Sequence, residues 1–107
     1  DHPCDPTVIP FWWRRMHQDS TYKEELVNRW AELRQGILSD ESLLADIDGQ
    51  VAGLGKSIDR NYTRWPILGE HVWPNHFVGN TYEEEIEYLK GWILKRAKWI
   101  DENIESL

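Results

Sequence analysis

Sulfur is nearly absent from this 107-residue chain, which holds one cysteine, Cys4, and one methionine, Met16. A lone thiol closes no internal disulfide, so order must come from packing, and a single domain of this length buries a real core without bridges or metal. Positive charge is also short: 12 Lys and Arg face 19 Asp and Glu, a formal net charge of −7. Nucleic-acid backbones and anionic membranes demand a cationic surface, and here the basic residues are interleaved with acids, so neither partner is expected. No apolar run approaches a membrane span and no secretory signal is recognisable, so no membrane insertion is expected. No stretch alternates with period two, which leaves no candidate strand. The chain opens at Asp1 on a stretch with Pro3, Pro6 and Pro10, as a piece cut from something longer would.

Aromatic residues are plentiful instead. Seven Trp, four Tyr and two Phe supply material for a large core, since each buries about 150–250 Å² when enclosed. Their spacing is helical. Ile9, Trp12, Trp13 and Met16 around Pro10 predict a short first helix. Thr21 and Glu24 form a capping box ahead of Leu26, Trp30, Leu33 and Ile37. Ser39 and Asp40 open a third helix with the stripe Leu44, Ile47, Val51, Leu54 and Ile58. Its other side, Ala45, Gly49, Ala52 and Gly53, is a small-residue face, expected where a second helix backbone approaches closely. Thr81 and Glu84 make another capping box before Ile86, Leu89, Ile93, Ala97, Ile100 and Ile104, with Tyr88, Trp92 and Trp99 widening the stripe. The likeness of the two Thr-led starts reads as convergent capping. The expectation is one all-α domain: a compact bundle of about four helices starting near Pro10, Thr21, Ser39 and Thr81. Trp30, Trp92 and Trp99 are expected in its core.

A long irregular connector, from about Asn61 to Asn80, precedes the last helix. It carries Arg60-Asn61-Tyr62-Thr63-Arg64-Trp65-Pro66 and His71-Val72-Trp73-Pro74-Asn75, two Trp-Pro pairs in which each proline biases the preceding residue toward extended backbone. Such a loop either orders itself by burying its Trp side chains or presents them to a ligand. Arg60, Asn61, Arg64, Trp65 and Trp73 are therefore the candidate binding residues. Arg60 and Arg64 are four apart, so they project from one helix face toward C-terminal carbonyls or an acidic neighbour.

Catalytic patterns are thin. Glu83, Glu84 and Glu85 fall in a first helical turn, where the helix dipole favours them. Carboxylates on consecutive helical positions point apart, which argues against an independent hydrolase. Asp46, Asp48 and Asp59 lack calcium-loop spacing, and His71 and His76, with His2 and Cys4 distant, lack zinc spacing. No nucleophile motif is present, and Gly49, Gly53 and Gly55 lie inside a helical pattern, not a phosphate loop. No catalytic residue, metal or cofactor site is expected on this chain.

Several short words occur together in order: Phe11-Trp12-Trp13-Arg14-Arg15-Met16, Arg29-Trp30-Ala31-Glu32-Leu33-Arg34, Arg60-Asn61-Tyr62 with Arg64-Trp65-Pro66, Val72-Trp73-Pro74-Asn75, Thr81-Tyr82-Glu83-Glu84-Glu85-Ile86, Leu89-Lys90 with Trp92, and Arg96 with Trp99-Ile100-Asp101. From about Pro10 to Asn103 they resemble the C-terminal region of proteins similar to the bacterial spore-coat protein CotH, the CotH kinase-like family. The resemblance implies a parent related to protein kinases, with ATP and a divalent metal bound by an Asp-rich core. The catalytic loop and metal-binding Asp motif of that core have no counterpart here. By the resemblance, this chain is a non-catalytic helical tail whose partner is the parent's N-terminal kinase-like core. An extracytoplasmic address (secreted, cell surface or spore coat) is implied in the same way. The other reading is a glycan-binding or protein-interaction module using the loop Trp residues. Surplus apolar surface on the last helix calls for a missing neighbour or a homo-oligomer.

Overall fold

The computed structural model describes residues 11–106. Ile9 and Pro10, which opened the first predicted helix, lie outside the described residues. Five helices follow: α1 (Phe11–Met16), α2 (Ser20–Arg34), α3 (Asp40–Leu54), α4 (Ser57–Arg64) and α5 (Tyr82–Asn103), the last running into a short 3-10 turn at Ile104–Ser106. No strand occurs among the described residues, and the protein is all-α.

Local chemistry sets the boundaries. Asp19, not Thr21, caps α2, its side chain accepting from the Tyr22 backbone N–H at 3.0 Å. Asp is the stronger cap, and using it takes Ser20 and Thr21 into the first turn. The helix stops at Arg34, so Ile37 falls in the following turn and is exposed. Ser39 caps α3 as predicted, accepting from the Ser42 N–H at 3.2 Å. The run predicted to continue through Ile58 breaks at Gly55, whose φ of 47° no helix contains. A residue of left-handed φ ends a helix and favours glycine. The chain restarts as α4, so Arg60, Asn61 and Arg64 stand on a helix and the irregular connector runs from 65 to 81. Thr81 caps α5, accepting from the Glu84 N–H at 3.2 Å.

One polar clasp joins three elements. The Arg34 Nε donates to both Asp101 oxygens at 3.0 and 3.2 Å, Nη2 donates to Asp40 at 2.7 Å, and Nη1 reaches the Leu38 carbonyl. The Trp30 indole N–H adds a bond to Asp101 at 2.7 Å. Thus the end of α2, the start of α3 and the end of α5 share one guanidinium, whose planar fork suits several acceptors at once. The Asp40 hydrogen bond holds the Arg34 pKa above its ordinary value against an opposing desolvation effect. Farther along α5, Lys90 pairs with Asp48 of α3 at 2.7 Å and with Glu87 at 3.3 Å.

The helices form a slab of 51 × 34 × 19 Å. Its radius of gyration is 18.2 Å, against about 13 Å for a closed domain of roughly 100 residues. Ala97, 5 % exposed, is the buried apolar residue among those described. It lies on the inner side of α5 with the partly covered Ile86, Ile93, Ile100 and Ile104. The expectation that Trp92 and Trp99 belong to the core is corrected: they are 54 % and 41 % exposed. Their positions on the helix are turned away from the inner side, whereas Trp30 is half-buried where its indole meets Asp101. The small-residue face of α3 is also open. Nothing beyond the helix's own backbone lies within 4 Å of a Cβ built on Gly49 or Gly53, so no other helix among the described residues covers it.

Candidate functional site

The connector is ordered by the first turn of α5. The Glu85 carboxylate accepts from the Gly79 N–H at 2.7 Å, and the Glu84 carboxylate accepts from the Asn80 N–H at 2.7 Å. Gly79 in turn receives the Gly69 N–H on its carbonyl at 2.9 Å, closing the loop at its base. Gly69 has a φ of 79°, a conformation open to glycine and strained for other residues. Gly79 is glycine for lack of space: an added Cβ would lie 2.9 Å from Glu85 atoms. The acidic run thus does more than complement the helix dipole, because two of its carboxylates satisfy loop N–H groups that would otherwise be orphaned. Smaller turns shape the tip, with Ile67 N–H to Trp65 C=O at 2.9 Å and Asn75 N–H to Val72 C=O at 2.9 Å. The peptide bond between Trp73 and Pro74 is cis.

Its Trp residues are not buried. Trp65 is 58 % exposed and Trp73 is 84 % exposed, so the loop does not order itself by burying them. The five candidate residues take separate places. Arg60 donates to Ser57 Oγ at 2.7 Å, one turn back along α4. Asn61 accepts the Trp65 N–H on its backbone carbonyl at 2.8 Å and lines a cleft of about 320 Å³ with Leu54, Ile58, Tyr62 and Tyr82. Arg64 lies over the Trp65 ring at 4.8 Å from its centroid, a cation–π contact that covers one face of the indole. Neither arginine forms a C-terminal capping bond to the carbonyls of α4 among the hydrogen bonds of the described residues.

Sequence reasoning missed the cleft between connector and α5. About 490 Å³ in volume, it is walled by Pro74, His76, Phe77, Tyr88, Leu89 and Trp92. The Phe77 ring stacks on Tyr88 with centroids 4.1 Å apart. The spacing of Tyr88 and Trp92 carries a signal for it, but in sequence that spacing equally fits a widened core stripe.

No three His, Cys, Asp or Glu side chains among the described residues gather to hold a metal. Burial, reinforced by Tyr82 and Glu85, raises the Tyr62 pKa above 10.0. Tyr62, Lys90 and Arg34 all hold their protons more tightly than is ordinary for their types. A raised folded-state pKa contributes stability below the unfolded value and loses it as pH rises through the folded one. Melting temperature should therefore decline above pH 10.0, with Tyr62 the first of the three to contribute. Tyr62→Phe should flatten the first part of that decline in a pH series of thermal melts.

Fold and site together define an all-helical unit with an anchored loop and large aromatic surfaces open to solvent. A family model described as CotH kinase protein matches residues 5–100. The chain belongs to the CotH family. No curated protein and no solved structure gives a significant match.

Proposed function

We propose that this chain is a non-catalytic helical subdomain of a CotH kinase-like protein, lying after the kinase-like core in the parent and packing against it. The observation that supports this most is the exposure of Trp65 and Trp73 on a loop whose base is hydrogen-bonded to α5. Exposed aromatics on an anchored backbone lose little conformational entropy on docking, which is how interface anchors work. Ile67 and Val72 of the same loop are exposed as well, and elsewhere on the chain α1 presents Trp12 and Trp13, each about half exposed. An apolar surface of this extent calls for a neighbour. In this reading ATP and a divalent metal belong to the parent's core, and the parent is extracytoplasmic: secreted, on the cell surface or in a spore coat. No helix among the described residues is long and apolar enough to cross a membrane.

Co-expression with the N-terminal core of the parent should give a stable complex in which Trp73 is shielded from acrylamide. Arg60→Ala with Arg64→Ala should weaken that complex while leaving the helical content of the chain unchanged. Unaltered association would remove the arginines from the docking surface. Calorimetric titration of the chain with ATP and magnesium should show no saturable binding, since no phosphate-cradling loop or metal-binding cluster is recognisable here. Binding in the low micromolar range would place the chemistry on this chain.

The exposure of Trp73 also favours a second reading, a glycan-binding module in which the indole stacks on a sugar ring. Titration with soluble oligosaccharides, followed by Trp fluorescence, separates the two. A saturable change lost in Trp73→Ala supports the glycan reading, and no change at millimolar sugar removes it.

A further inference from the structure

The connector accounts for one open surface; the outer face of α5 is another. At about 100° per residue, Tyr88, Trp92 and Trp99 fall within roughly 40° of one another around the helix, turned away from Ala97. All three are exposed. The same helix is polarised in charge along its length. Before Gly91 stand Glu83, Glu84, Glu85 and Glu87 against the single Lys90; after it Lys95, Arg96 and Lys98 come first, with Asp101 and Glu102 only in the last turn. Glu87 and Lys98 lie on one edge of the aromatic face, at about 100° and 80° to the same side of Tyr88. Both are exposed.

These positions define a self-complementary surface. When two copies of a helix face are laid antiparallel, each edge meets the same edge of the other copy with its direction reversed. Glu87 of one chain then lies near Lys98 of the second, and the pairing occurs twice about the two-fold axis. A parallel arrangement would instead set the acidic turns side by side. The axis falls near Gly91 and Trp92, where a Cβ added to Gly91 would meet no atom within 4 Å, leaving room for a close approach. The 490 Å³ cleft, walled by Pro74, Phe77, Tyr88 and the chain's own Trp92, opens beside this axis, so that Trp92 stands at its mouth.

We infer that two copies of this chain pair through antiparallel α5 faces, each placing Trp92 in the cleft of the other. This surface borders the connector at Pro74 and Phe77 but does not use Trp65 or Trp73, so the pairing does not require docking to a kinase-like core.

Sedimentation equilibrium of the chain over a wide concentration range tests the pairing. The expected result is a mass rising to twice that of one chain, with Trp92→Glu remaining at the single-chain mass. Glu87→Lys and Lys98→Glu should each weaken association by about tenfold or more, because each sets like charges together at two symmetric places. Combining them should restore it. Glu87→Lys also removes the pair with Lys90, at 3.3 Å. Lys98→Glu likewise removes the pair with Glu102, at 3.8 Å. The combined variant carries both losses, so its recovery reports the dimer alone. A single-chain mass at every concentration, a dimer untouched by Trp92→Glu, or a combined variant no tighter than its parents would overturn the pairing. Retained core association by Trp92→Glu would leave the connector's role standing, whichever way the dimer result falls.

Discussion

Replacing Arg34 with alanine should lower the unfolding free energy by about 2–3 kcal/mol, the scale for losing hydrogen bonds to charged groups. The substitution frees two carboxylates and a carbonyl at once: Asp101, Asp40 and Leu38 C=O all receive this one guanidinium. It also uncouples α2, α3 and α5 in a slab with little apolar interior to compensate. Arg34→Lys should recover only part of the loss, since an ammonium is a point charge and cannot hold a planar fork of acceptors. Trp30→Phe should cost about 1 kcal/mol, for it removes the indole bond to Asp101 and keeps most of the ring. Urea midpoints measure all three. An unmoved midpoint in Arg34→Ala would mean the clasp contributes nothing to the fold.

Gly79→Ala should destabilise the connector by about 1–3 kcal/mol, the range for leaving a buried polar group unpaired. The new methyl would sit 2.9 Å from Glu85 Cγ and Oε1, pushing away the carboxylate that accepts the Gly79 N–H. Glu85→Ala breaks the same tie from the other end. The two substitutions should therefore be strongly non-additive, because whichever comes first removes the interaction the second would lose. Faster amide exchange across residues 65–81 is the local readout, alongside thermal melts for the global one. Additive effects would show that Gly79 and Glu85 act independently.

Both experiments concern residues whose types were legible in the sequence but whose jobs were not. Arg34 and Asp101 belong to short words that resemble the CotH family, yet they are 67 positions apart and only the folded chain brings them together. By sequence position Glu84 and Glu85 are complements to a helix dipole, which is a local argument. In the structure they also reach back over the preceding loop, and the spacing of a helix start cannot show where that loop returns. The connector's Trp residues were open to two readings for a related reason. Sequence gives the size of an indole and the backbone bias set by proline, but not whether a second layer covers it.

Local chemistry did determine the helical character of the chain, the caps at Ser39 and Thr81, the inward stripe of α5 and the family resemblance that the CotH match bears out. Those properties depend on residues within a few positions of one another, or on the order of short words. Tertiary structure decided the rest. It brought Asp101 to Arg34 and Trp30, and returned the connector to Glu84 and Glu85. It also left Trp92, Trp99, Trp65 and Trp73 facing solvent. The physical reason is that hydrophobic periodicity records how much apolar surface a helix must cover, whereas the cover itself comes from elements distant in sequence or from another chain.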